Sequence, residues 1–296
     1  MKLRYSEAFY SVQGEGKYVG VPSVFLRVFG CNFHCGGFGQ PKGDLIATDS
    51  MPYMTDPKAD PNHPEAYTSI EDLPVTMVGC DSSASWAMKY KHLQKTQTVE
   101  EVFEEITNLL PNGTFTGDHD NDIHLVITGG EPLLGWQRIW PELLSLCTAI
   151  GLKNVTFETN GTQIVTRNLR EFFNDYAEGQ KIHVTWSTSP KLSISGEKTI
   201  DALVPESLAS MNEIKNSYLY TKFVVREASD FDEAKLFLDE YAHRKVNIDS
   251  VYCMPEGAVL EQYTLTAPVV ADECMKRGYR FSPRLHIDLF GNSWGT

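Results

Sequence analysis

The chain has 296 residues, 26 basic against 39 acidic side chains and a formal charge of −13. At roughly 150 residues per domain two domains would fit, but α/β barrels of this length fold as one, and a single domain over 1–296 is expected. The acidic balance argues against an electrostatic grip on nucleic acid or an anionic membrane, and no stretch approaches the roughly 18 to 20 apolar residues of a bilayer span; the Met1–Glu7 opening lacks an apolar signal core. A small-molecule substrate and a cytoplasmic location are therefore expected.

In chain order, Pro22 to Phe29 reads as a buried strand with one anomalous charge, Arg27, running into Gly30 and Cys31. Thr98 with Glu101 forms a capping box ahead of Val102, Phe103, Ile106, Leu109 and Leu110, a helical face stopped by Pro111-Asn112-Gly113. Further strands are expected at Ile123–Ile127, Val155–Phe157, Ile182–Trp186, Leu219–Val225 and Val251–Met254, with helices over 136–150, 230–242 and 264–277. Strand and helix in alternation predict a mostly parallel sheet with crossover helices, whose ligand sites gather at the carboxyl ends of the strands.

Two segments break the pattern. Residues 36–79 hold six of the chain's 15 prolines and seven acidic against two basic residues, without helical or strand period, and read as a long surface insertion with a covering role as the functional option. Asp118 to Asp122 reads as a solvated turn, because it lacks the glycine and distal glutamate of a calcium loop.

The chemistry-bearing residues sit at strand ends. Cys31 and Cys35 follow the first predicted strand, and Cys80 lies 45 positions beyond Cys35. Thiolates hold iron–sulfur clusters or zinc, and spacing alone does not choose between them. Cys147, Cys253 and Cys274 stand alone in apolar settings and read as small buried hydrophobes. The next strand ends carry Thr128-Gly129-Gly130-Glu131-Pro132, then Glu158-Thr159-Asn160-Gly161, then Ser189-Pro190-Lys191, which together outline a polar ligand site. Arg27, a planar fork on an apolar strand, calls for a carboxylate from a ligand or for an ion pair.

With the run from Tyr10 to Gly16, Arg27 to Cys31 and the C-terminal Leu285 to Asn292, these motifs resemble the radical S-adenosylmethionine superfamily, and within it the 7-carboxy-7-deazaguanine synthase family, over most of the chain. The superfamily spaces its cysteines Cys-x3-Cys-x2-Cys, whereas the third position after Cys35 is Phe38, which cannot ligate iron. Cys80-Asp81-Ser82 followed by Trp86 reproduces the surroundings of the family's third cysteine, so residues 36–79 are expected to interrupt the motif.

The resemblance implies an incomplete, TIM-like parallel β/α barrel of the radical S-adenosylmethionine type, with a long insertion after the first strand. It implies a [4Fe-4S] cluster on Cys31, Cys35 and Cys80, S-adenosylmethionine on the open iron, and Mg2+ held by Ser82. Gly79, Asp81, Gly130, Glu131, Glu158, Asn160, Ser189, Pro190 and Lys191 match cofactor-binding positions, Glu131 as acceptor of the methionyl ammonium. Val12, Gln13, Gly14, Glu15, Arg27, Thr128, His286 and Thr296 match the substrate shell. The implied reaction converts 6-carboxy-5,6,7,8-tetrahydropterin to 7-carboxy-7-deazaguanine with loss of ammonia, in a homodimer served by a flavodoxin or ferredoxin. No catalytic side chain is assigned, the radical coming from the cofactor. A radical activase acting on a protein glycine, and a non-catalytic zinc or redox module, are the competing readings.

Overall fold

In the computed structural model, which describes residues 1–42, 45, 64–179 and 182–296, the strands are β1 (Lys2–Val12), β2 (Pro22–Val28), β3 (Lys95–Thr98), β4 (His124–Gly129), β5 (Asn154–Thr159), β6 (His183–Thr188), β7 (Ser217–Val225), β8 (Ser250–Pro255) and β9 (Arg280–Phe281). The helices are α1 (Val99–Leu109), α2 (Trp140–Ala149), α3 (Arg167–Gly179), α4 (Thr199–Ala202), α5 (Pro205–Asn212), α6 (Ala228–His243), α7 (Leu260–Arg277) and α8 (Leu285–Phe290). One sheet takes the order β3-β1-β2-β4-β5-β6-β7-β8-β9. From β2 to β9 every pairing is parallel, while β1 runs antiparallel to both β2 and β3. Because β3 and β9 are its two ends, the sheet is an open, partial barrel with helices packed on its outer face, as the sequence implied.

From β4 to β8 each strand is followed by at least one crossover helix, α1 serves the crossing from β2 to β4, and the helix limits follow from local chemistry. Thr98 Oγ1 accepts the Glu101 amide and Glu101 returns the bond to Thr98 N–H, so the capping box fixes the start of α1. The second helix begins at Trp140 rather than at 136, because Pro141 occupies its first turn, where a missing N–H costs nothing. Two expectations need correction. The first strand in the chain is β1, whose antiparallel run from Lys2 carries no isolated strand signal, so the cysteines follow the second strand. Strand β9 comes after the last strand foreseen.

Side-chain alternation divides the core. Val24, Leu26 and Val28 of β2, Leu125 and Ile127 of β4, Val155 and Phe157 of β5, and Val184 and Trp186 of β6 join the helices in one apolar cluster. Residues of the opposite parity face the barrel interior, where Phe9, Phe25 and Val126 form a small floor. Above that floor the inward positions are polar, which is where a ligand site can exist.

Phe157 is fully buried, stacks on Trp186 with centroids 5.0 Å apart, and meets Trp140 and Phe173 edge-on at 6.0 and 6.1 Å. Truncation to alanine would remove the contact on which three aromatic side chains converge. Phe157→Ala is expected to cost about 3–5 kcal/mol of unfolding free energy, measured by urea titration followed by circular dichroism.

Candidate active site

Strand parity and register assemble the site. Arg27 pairs in register with Thr128 across β2 and β4, and Glu158 with Ser187 across β5 and β6, while Lys222 shares the inward parity on β7 two residues beyond Tyr220, the register partner of Ser187. Arg27, Thr128, Glu158, Ser187 and Lys222 line one cavity at the carboxyl ends of the strands. About 1590 Å³ there is free of protein atoms, the open mouth included.

Cys31, Cys35 and Cys80 line that same cavity, with Phe33, Phe38 and Trp86 around them. Burial pushes the Cys31 thiol up to about 12 and raises Cys35 and Cys80 as well. Donors already face two of the sulfurs: Phe33 N–H lies 3.4 Å and Asn160 Nδ2 3.9 Å from Cys31 Sγ, and Ser82 Oγ lies 3.4 Å from Cys80 Sγ. Three soft ligands within each other's field, with donors that favour thiolate, fit a cluster held by cysteine. Among the described residues no three His, Cys, Asp or Glu side chains are spaced to hold a single metal ion.

The distant cysteine is brought in by its stems. Phe38 carbonyl accepts Gly79 N–H at 2.7 Å, so the chain leaves and re-enters at one point. The outgoing stem is latched to the barrel: Glu256 accepts Gly39 N–H at 2.7 Å, Arg226 donates to the Gln40 carbonyl, and Lys42 lies 2.8 Å from both Glu227 and the buried Asp230. On the return side Ile70 and Leu73 pack with Ala84 and Tyr90, and Trp294 from the C-terminal tail joins them. Phe38, Gly39, Met77 and Gly79 line the cavity, so both ends of the segment border it; residues 43–44 and 46–63, on which a covering role would rest, lie outside the described residues.

The Gly-Gly-Glu-Pro turn has a structural duty. A Cβ on Gly130 would stand 2.1 Å from the Gly30 carbonyl oxygen, and Gly129 has φ +113°, so only glycine permits the approach. Glu131 N–H then donates to Gly30 at 2.7 Å. Its carboxylate is fully buried and accepts from Thr159 Oγ1 (2.7 Å), the Asn160 amide (2.7 Å) and the Leu133 amide (3.0 Å). Glu131 does not line the cavity, and its oxygens brace strand ends. Pro190 is likewise set behind the lining, whereas Ser189 and Lys191 on either side reach it.

The opposite wall is an ion network. Glu15 pairs with Lys222 and lies 3.3 Å from Arg284, which also pairs with Asp81 and donates to the Gly257 carbonyl. Against the cost of burial, these cations hold the Glu15 carboxyl well below the usual carboxylate range, and Glu15 in turn raises Lys222. Gln13 donates to Glu158 (3.2 Å), as does Thr128 (2.9 Å), and the Gln13 oxygen accepts the Glu15 amide at 3.1 Å. His286 packs on Gly14, where a Cβ would stand 2.3 Å from its Nδ1, and Leu285 N–H bridges to the Gly14 carbonyl at 3.0 Å. That bond spans the gap between the C-terminal segment and β1.

Of the residues expected from sequence, Gly79, Asp81, Ser82, Gly130, Glu158, Asn160, Ser189 and Lys191 line the cavity, as do Val12 to Glu15, Arg27, Thr128, His286 and Thr296. Arg27 makes an ion pair, its Nε standing 2.9 Å from Glu7, and its side chain remains a quarter exposed on the cavity. Lys222, Glu256 and Arg284, which also line it, were missed. Lys222 carried the same signal as Arg27, a lone charge on an apolar strand.

No family model matches the chain. It is 28% identical to the 7-carboxy-7-deazaguanine synthase of Halobacterium salinarum over 98% of this chain and 91% of that one. To the proteins of that name from Pyrobaculum aerophilum and Rhodopirellula baltica it is 28% and 27% identical, over 99% of this chain and 97% and 89% of theirs. The crystal structure of QueE from Escherichia coli superposes with a TM-score of 0.51 at 18% identity, over 95% of this chain and 93% of that one, a likeness of fold.

Burial lowers His286 and His124 from their ordinary 6.5 to about 4. Both are thus neutral in the folded protein where the unfolded chain already binds protons, so the stability they carry is present above pH 6.5 and is lost as pH falls toward 4. Urea midpoints measured over that window should drop on acidification, and His286→Gln should flatten the slope.

Proposed function

We propose that this chain, a relative of the 7-carboxy-7-deazaguanine synthases along nearly its whole length, makes 7-carboxy-7-deazaguanine from 6-carboxy-5,6,7,8-tetrahydropterin, releasing ammonia. One observation supports this most: cysteines 45 positions apart in sequence line a single cavity with inward-facing Arg27, Thr128, Glu158 and Lys222. Cys31, Cys35 and Cys80 would hold the [4Fe-4S] cluster, and Gly79, Asp81, Gly130, Asn160, Ser189 and Lys191 would border S-adenosylmethionine beside it. When bound, cluster and S-adenosylmethionine supply the one-electron chemistry that removes hydrogen from the substrate.

The chain's own residues would bind and orient. Arg27, clamped at Nε by Glu7, offers the rest of its fork to the pterin carboxylate. Gln13, Thr128 and Glu158 form a bonded row suited to the donors and acceptors of a pterin edge. Glu15 is held ionised by Lys222 and Arg284, ready to accept from a ring N–H. The Ser82 hydroxyl supplies a hard oxygen for Mg2+, and the described stems support residues 36–79 as an insertion that leaves the triad intact. A homodimer reduced by a flavodoxin or ferredoxin in the cytoplasm completes the proposal.

Anaerobic reconstitution with iron and sulfide should give a brown protein that cleaves S-adenosylmethionine only with a reductant and turns over the carboxylated pterin. A colourless protein retaining zinc would overturn the reading, and radical cleavage without deazaguanine would point to an activase. Cys80→Ala should lose the cluster. Arg27→Gln should keep it and lower kcat/KM for the pterin about 10- to 100-fold, the loss of one charged hydrogen bond.

A further inference from the structure

The loop carrying Cys35 is held from outside the cysteine motif. Cys35 has φ 52°, the left-handed region that disfavours a residue with a side chain. Its N–H and that of His34 converge on one oxygen of Glu197, at 2.7 and 2.8 Å. The Glu197 amide donates to Ser195 Oγ at 3.2 Å, and the Ser195 carbonyl accepts Gly37 N–H at 2.8 Å. The fit is close, for a Cβ on Gly37 would stand 2.5 Å from the Ile194 carbonyl oxygen. Residues 34–37 and 193–197 are therefore keyed together, with Glu197 as the only side chain that binds both of those amides among the described residues.

Resting on the cluster reading above, we propose that Glu197 is a positioning residue: it holds the Cys35 loop in its left-handed turn and makes the bound cluster harder to reduce. Two causes act in one direction. The His34 and Cys35 amides, committed to Glu197, are withheld from the cluster sulfurs, and the carboxylate adds negative charge beside a cysteine ligand. A more reducing cluster suits a centre that must deliver an electron to a sulfonium.

Glu197→Gln retains an acceptor oxygen and removes the charge; Glu197→Ala removes both. In reconstituted protein, Glu197→Gln should bind as much iron and sulfide as the parent, while its reduced-to-oxidised ratio at fixed poise, read by electron paramagnetic resonance, rises at least about threefold. Glu197→Ala should lose most of its iron, and in iron-free protein its Cys35 should alkylate roughly tenfold faster than in the parent, with Glu197→Gln close to the parent. A redox titration of Glu197→Gln superimposable on that of the parent would overturn the charge effect. Equal Cys35 alkylation in the parent and Glu197→Ala would overturn the positioning. Failure of the parent itself to take up a cluster would instead sink the functional reading, because the alkylation comparison needs no iron.

Discussion

The carboxylate of Glu131 is the hinge on which the cysteine side of the cavity depends, because it joins the exits of β4 and β5 while its own amide joins that pair to the exit of β2. Thr159 and Asn160 donate to the side chain, and the Gly30 carbonyl accepts the backbone N–H. Burial raises the carboxyl's pKa and the three donors oppose that rise. Stripping a carboxylate of water costs several kcal/mol, which bonds of about 1.5–3 kcal/mol each can offset. Asn160, fixed in this way, places its side-chain nitrogen near Cys31 and Asn32. A glycine-rich turn that would pass for a ligand cradle is thus first a joint between strands.

The wall across the cavity from the cysteines follows a different rule. Lys222 and Arg284 are buried, Glu15 is partly buried and Asp81 stays exposed, and these charges satisfy one another from four separate segments. Such a network is weak evidence for stability, since well-packed apolar side chains often do as well. Its effect here is positional: Arg284 links Asp81, the neighbour of Cys80, to Glu15 beyond the end of β1. The two halves of the proposed reaction are therefore mechanically joined by one guanidinium.

The legible part of the molecule was whatever repeats locally. The capping box at Thr98, the buried strands and Arg27 were readable because hydrophobic period and a misplaced charge are properties of a few neighbouring residues. Lys222 bore that same mark and went unread, because Leu219 to Val225 had no motif beside it. Glu197 and Arg284 bore none; an acidic or basic residue in a loop reads as solvated until its partners are known. The bonds that Glu131 makes to the neighbouring strand exits show only in the structure, since sequence cannot tell a carboxylate aimed at a ligand from one aimed at the neighbouring turn.

By itself the sequence determined the alternating strand and helix order and the residue types at each strand exit, and the resemblance singled out three cysteines that line one cavity in the fold. Tertiary structure alone decided that Phe38 and Gly79 meet, so that 45 positions of separation between Cys35 and Cys80 fold back to one place. It also decided which polar side chains face inward at the same height. The reason is that period is encoded between neighbours, whereas register and loop closure are set by hydrogen bonds between residues far apart in the chain.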